Sequence, residues 1–202
     1  MSQIPQLMSG RALEHGIAMT TDHGGGSDEI MYVGEQASFQ IAAGTALTNT
    51  TDETALISYT IPANTLVAGS TIRVRAAGIA TATNSTDTLT VKMLLDTEAT
   101  AISSAENIVS TGAVDVADND IYDFDTLIVV RTAGSSGTAV AISSVHNMDA
   151  PATARISDLK SSFTLDTTSA NVLQITGTWS VASASNSCRS DIFVVDIVNP
   201  GT

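Results

Sequence analysis

Five aspartates lie close together at Asp115, Asp118, Asp120, Asp123 and Asp125, the densest run of hard oxygen ligands in the chain. Calcium takes several oxygen ligands, and a loop with closely spaced carboxylates can supply them. The spacing is not that of an EF-hand loop, since the required Gly and the closing Glu are absent. Asp123 and Asp125 alternate with Tyr122, Phe124 and Thr126, a period of two that predicts a strand with an acidic solvent face. That reading stands first, with a structural calcium site on the five aspartates behind it. No resident metal or cofactor is expected.

The remaining reactive side chains are scattered. His15, His23 and His146 form no short-spaced pair of the kind that holds zinc. His23-Gly24-Gly25-Gly26 looks like the oxyanion-hole segment of some lipases, but that segment works beside a Gly-x-Ser-x-Gly elbow on an α/β sheet. Neither the elbow nor the helical pattern is present. A carboxylate pair for glycoside hydrolysis stays open on spacing alone, although aromatic residues, the usual sugar platforms, make up only 4%. Trp179, the single tryptophan, follows Leu173, Ile175 and Gly177 at period two and reads as core. Cys188 is the only cysteine, which excludes an intramolecular disulfide and a cysteine metal cluster. It reads as a small half-buried residue opening a strand. With no phosphate loop or dinucleotide fingerprint, the expectation is a protein that is not an enzyme.

Composition narrows the classes further. Of 202 residues, 43% are hydrophobic and the mean hydropathy is +0.20, enough for a packed core. Charged residues are only 14%, against roughly 25% in an average soluble protein, so Thr, Ser, Asn, Ala and Gly must build much of the surface. Acids outnumber bases 21 to 8, for a net charge of −13. Nucleic-acid binding needs clustered Lys and Arg to release counterions, and the densest basic pair is Arg73 with Arg75. No nucleic-acid partner and no anionic membrane are expected. The opening MSQIPQLMSGRALEHG has neither the basic nor the apolar region of a signal peptide, and no apolar run is long enough to span a bilayer. Synthesis in a cytoplasm without export by a standard route is expected.

Two regions must position these residues. Residues 1–36 hold three of the six methionines within their first 19 residues, two of the three histidines and the Gly-rich run at 23–28. They read as an extended N-terminal arm, with at most a short helical turn near 11–15. An extended segment buries too little surface to offset its ordering entropy alone, so the arm is expected to lie on a partner. From residue 37 to 202 the pattern has period two. Strands are expected at 57–61, 71–75, 86–95, 121–132, 138–146, 161–165, 172–181 and 192–198, rich in Thr, Val and Ile. Turn residues at 62–64, 67–70, 84–87 and 133–137 separate them. About eight or nine antiparallel strands without a long helix predict an all-β, jelly-roll-like β-sandwich.

One stretch carries a resemblance. Thr51-Asp52-Glu53-Thr54-Ala55-Leu56, then Tyr59-Thr60-Ile61-Pro62-Ala63-Asn64-Thr65-Leu66 and Ala68-Gly69-Ser70-Thr71-Ile72-Arg73-Val74-Arg75, is similar to the opening strands of tailed-bacteriophage virion proteins. In that group such a stretch begins a jelly-roll domain of head decoration (cement) proteins and of fibre or tail appendages. The resemblance covers about residues 44–75 and implies no catalytic residues. It implies a structural virion protein on the capsid exterior, often a homotrimer, that clamps neighbouring subunits of the major capsid protein. Its alternatives are a head fibre, tail or baseplate component that mediates trimerisation or receptor contact and, from another class, a carbohydrate-binding module.

Overall fold

The computed structural model describes residues 18–21, 29–32, 35–84, 86–146 and 156–200. The helical turn near 11–15, His15 and the His23-Gly24-Gly25-Gly26 run lie outside the described residues. Within the first 36 residues, β1 (Ala18–Thr21) and β2 (Glu29–Tyr32) pair antiparallel as a two-stranded sheet of their own.

The rest is a sandwich of two antiparallel sheets. Its strands are β3 (Glu35–Phe39), β4 (Leu47–Thr48), β5 (Thr54–Ile61), β6 (Leu66–Thr81), β7 (Thr88–Thr97), β8 (Asn107–Ser110) and β9 (Val114–Asp115), then β10 (Asp120–Thr132), β11 (Thr138–His146), β12 (Ile156–Thr164), β13 (Asn171–Trp179) and β14 (Ser187–Pro200). The seven-stranded sheet runs β12-β11-β10-β6-β14-β3, with β4 also on β14. The five-stranded sheet runs β5-β13-β7-β8, with β9 also on β7. Eight strands are long, as the alternation predicts, and the short ones extend the sheet edges. The one helical segment among the described residues is a single 3-10 turn at Ile102–Ser104.

Alternation decides what is inside. On β7, Leu89, Val91, Met93 and Leu95 are fully buried, facing the inner residues of the other sheet. Each such side chain removed from water stabilises the fold by about 1.5–3 kcal/mol. Leu94, on the opposite face by alternation, is buried as well, beside the place where β8 bulges at Ile108 and shifts its register against β7. Tyr122 and Phe124 share the inner face of β10, with ring centroids 6.0 Å apart. Trp179 is 1% exposed, in the core as its period predicts.

Some boundaries and one burial differ from expectation. Residues 67–70 are not a turn between strands but lie inside β6. Ser70 Oγ accepts the Val67 N–H at 2.9 Å and Gly69 takes a φ of +91°, so the kink is absorbed without ending the strand. The turn is set earlier: the Thr65 N–H donates to the Pro62 carbonyl, and Asn64 adopts a left-handed φ of +60°, which Asn tolerates. This turn carries the chain from the five-stranded sheet to the seven-stranded one. β12 starts before residue 161, its first half being the polar run Ser157, Asp158, Lys160 of an edge strand. Cys188 lies on β14 as expected but is fully buried rather than half-buried.

Candidate interaction surface

The five aspartates divide into two structural groups. Asp115 lies exposed on β9 opposite Thr88. Asp118 Oδ1 accepts from Thr81 Oγ1 at 3.5 Å, the Asn119 N–H donates to the same hydroxyl at 3.2 Å, and Asp120 Oδ2 accepts the Ala117 N–H at 2.6 Å. These bonds close the connection into β10 against the end of β6. Asp123 and Asp125 instead share Arg75, at 2.9 and 3.4 Å. The expected acidic solvent face is corrected at one position. The Asp125 side chain is 61% exposed but that of Asp123 only 12%, because the guanidinium from the neighbouring strand lies over it. Among the described residues no group of three or more His, Cys, Asp or Glu is placed to hold a metal ion. His146 ends β11 in register opposite Asp123.

Other polar groups are bound into the sandwich. Glu53 accepts from Lys92 Nζ at 3.0 Å and from Thr176 Oγ1 at 2.8 Å. Asp87 accepts from the side-chain amides of Asn84 and Asn186. Lys160 reaches across from β12 to the Glu106 carboxylate and the Asn107 carbonyl, latching one side of the sandwich. Burial, then the charge of Asp191, pushes the Cys188 thiol up to about 12. Burial also raises the Tyr122 phenol well above its ordinary range, with Cys188 adding to it. A shallow depression lies along residues 45–48 and 54–56, lined by no titratable side chain.

The outer faces of the two sheets differ in kind. That of the five-stranded sheet is hydroxyl-rich, presenting Ser58, Thr60, Thr88, Thr90 and Lys92. That of the seven-stranded sheet is apolar with mixed charge, its arginines standing among Asp123, Asp125, Asp191 and Asp196. Of the eight exposed large hydrophobic residues among those described, Phe39, Ile121, Leu127, Ile142, Leu159 and Ile192 lie on it by register. Leu159, Ile142 and Leu127 sit side by side on β12, β11 and β10, at 64%, 53% and 37% exposure. Directly opposite cross-strand positions place Cβ atoms about 4.5–5.5 Å apart, so the three form one continuous row. Arg73 continues it on β6 and Asp196 on β14. Four of the six described basic residues, Arg73, Arg75, Arg131 and Arg189, lie on this face.

Sequence reasoning placed Arg73 and Arg75 outward but missed the apolar row. The signal was Leu127-Ile128-Val129-Val130, an uninterrupted apolar run in an antiparallel strand. Such a run is apolar on both faces, where a strand with one solvated face alternates.

No protein-family model matches the chain, and no curated protein matches it in sequence. Among solved structures it is similar to a chain of the infectious bursal disease virus particle, at 11% identity and a TM-score of 0.34, covering 91% of this chain and 36% of that one. It is also similar to the VP2 subviral particle of that virus, at 12% identity and a TM-score of 0.30, covering 92% and 47%. A third, from the Gx strain, has 8% identity and a TM-score of 0.31, covering 92% and 48%. The chain thus spans between about a third and a half of these chains' length.

Proposed function

We propose that this protein is a structural component of a phage virion, a decoration (cement) protein. In this reading it binds the outside of the head, joins neighbouring subunits of the major capsid protein and acts as a homotrimer. The observation that carries the reading is the one-sidedness of the sandwich, with one sheet face built of hydroxyls and the other of large exposed apolar side chains among arginines and aspartates. Exposed apolar area concentrated on one face marks a surface made to be covered. The resemblance of residues 44–75 agrees with it, and its motif has a folding role here, forming β5, the turn at Asn64 and β6.

The mechanism is additive. Many copies, each with a modest interface, hold neighbouring subunits together without any bond being made or broken. Residues 1–36 act as the arm that extends the contact and residues 37–202 as the sandwich domain. The test is binding of the purified protein to capsids that lack it, read by co-sedimentation and by density maps. Saturable occupancy on the outer surface is expected; no occupancy overturns the reading. Deleting residues 1–36 is expected to lower occupancy, and unchanged occupancy overturns the role of the arm.

A further inference from the structure

We propose that Lys160 closes the two open sheet edges on one side of the sandwich, and that what it excludes is a second copy of this chain adding strand to strand. The inference does not rest on the capsid reading above.

Among the described residues β12 ends the seven-stranded sheet and β8 ends the five-stranded one. The two edges lie on the same side of the sandwich, where Lys160 reaches from β12 to β8. An end strand presents backbone N–H and C=O groups that can template another chain. At nine residues β12 is long enough to be such a template, and its Leu159 is 64% exposed.

Register shows which way the side chains of β12 point. Leu159 stands opposite the exposed Ile142, on the outer face, whereas Asp158 and Lys160 stand opposite Ser143 and Ala141, both buried. Two successive inner positions of an edge strand thus carry charge where apolar side chains would extend the core. Just beyond them the register shifts, and Ser161 and Ser162 together oppose Val140 as a bulge. Inward-pointing charge and a bulge both keep an edge strand from taking a new neighbour. A strand laid against β12 would have to enclose the ammonium away from water, which is costly.

The same ammonium serves β8. Successive carbonyls of a strand point to opposite sides. The Glu106 carbonyl, just ahead of β8, accepts the Leu95 N–H of β7, so the Asn107 carbonyl faces the open edge. It accepts from Lys160 Nζ at 2.8 Å, and an acceptor at that edge is thereby occupied from within the chain. Stability does not account for the lysine. The side chains of its ion pair with Glu106 are 29% and 34% exposed, and a pair in contact with water adds little to folding. An apolar side chain at residue 160 would add buried area instead. The charge is explained by what it keeps out.

The experiment compares wild type, Lys160→Met, Lys160→Arg and Glu106→Gln by light scattering over a concentration series, with melting curves to establish that each is folded. Lys160→Met is expected to form species larger than those of wild type at concentrations at least about tenfold lower. In those species the backbone amides of β12 and β8 are expected to gain protection from hydrogen exchange. Lys160→Arg keeps the charge and is expected to behave as wild type. Glu106→Gln leaves the ammonium in place and is expected to do the same, whereas a lysine that merely latched the sheets would make it resemble Lys160→Met. Should Lys160→Met fail to fold, Lys160→Gln takes its place with the same expectations. A folded, uncharged variant that associates no more than wild type overturns the proposal. So does association that leaves the β12 and β8 amides unprotected, or association of Glu106→Gln equal to that of Lys160→Met.

Discussion

The Tyr122 phenol reaches across the backbone of Gly78. The two residues are cross-strand partners on β10 and β6, and Gly78 is also opposite Ser190 on β14. The hydroxyl donates to the Arg189 carbonyl at 3.1 Å, so one aromatic side chain ties three adjacent strands. A Cβ at residue 78 would overlap both the Arg189 carbonyl oxygen and the phenol. Neither can yield easily, one being backbone and the other a ring packed in the core. Gly78→Ala is therefore expected to destabilise by about 1–3 kcal/mol, the range for overpacking a close-packed core. Urea denaturation measures it, and a variant as stable as wild type would refute the contact.

Tyr122 and Cys188 make stability fall at high pH. The unfolded thiol ionises near its ordinary 9.0, whereas the folded one holds its proton up to about 12, and the Tyr122 phenol is raised in the same direction. Between these limits the native state binds more protons than the unfolded one, so raising the pH favours unfolding. The contribution is complete below pH 9 and is lost as pH rises toward about 12. Each group steepens the decline by at most ~1.4 kcal/mol per pH unit. Cys188→Ala is expected to show a shallower alkaline decline than wild type in denaturation midpoints measured across that range.

Asp166 acts at the opposite end of the scale. Its carboxylate accepts from the Thr168 hydroxyl and N–H and from the Ser169 hydroxyl, forming the turn between β12 and β13. Those bonds, the Thr168 hydroxyl first, hold its pKa below the ordinary 3.8. A lowered folded pKa gives stability that is present above 3.8 and lost as pH falls through the folded value. Asp166→Ala should shrink the difference between acid and neutral stability, read from thermal midpoints in the two conditions. An acid limb identical to wild type would count against this role.

Glu53 tests the outer face of the five-stranded sheet. It joins Lys92 on β7 to Thr176 on β13, with only 18% of its side chain exposed. Glu53→Ala leaves the fully buried Thr176 hydroxyl without this acceptor. A loss of about 1–2 kcal/mol is expected, mostly from that unsatisfied group rather than from the partly exposed ion pair. Glu53→Gln, which keeps an acceptor oxygen, should recover part of it in the same denaturation assay.

Much of the sandwich was legible because its strands obey strict alternation: Leu89, Val91, Met93 and Leu95 announced β7, and Trp179 its place in the core. What escaped was set by neighbours remote in sequence. The polar half of β12 becomes a strand through its pairing with β11, a tertiary effect that outweighs the weak strand preference of Ser, Asp and Lys. The aspartate run looked like one group because its members are close in the chain. Asp123 and Asp125 instead pair with Arg75, far away in sequence but directly across the sheet. The exposed apolar row was hidden for the same reason. Leu127, Ile142 and Leu159 become neighbours only when the register of three strands is known.

The position of β14 beside β6 has a consequence for biosynthesis. β6 is the central long strand of its sheet, and its second neighbour begins only at Ser187. Until that segment has left the ribosome, one full edge of β6 has no partner and the strand that should lie between β6 and β3 is missing. Pairings so distant along the chain form slowly. A bare strand edge also offers a template to another chain in the meantime. A nascent chain halted anywhere before residue 187 therefore exposes its longest strand to every other copy being made nearby, and efficient production of this sandwich depends on how quickly β14 follows.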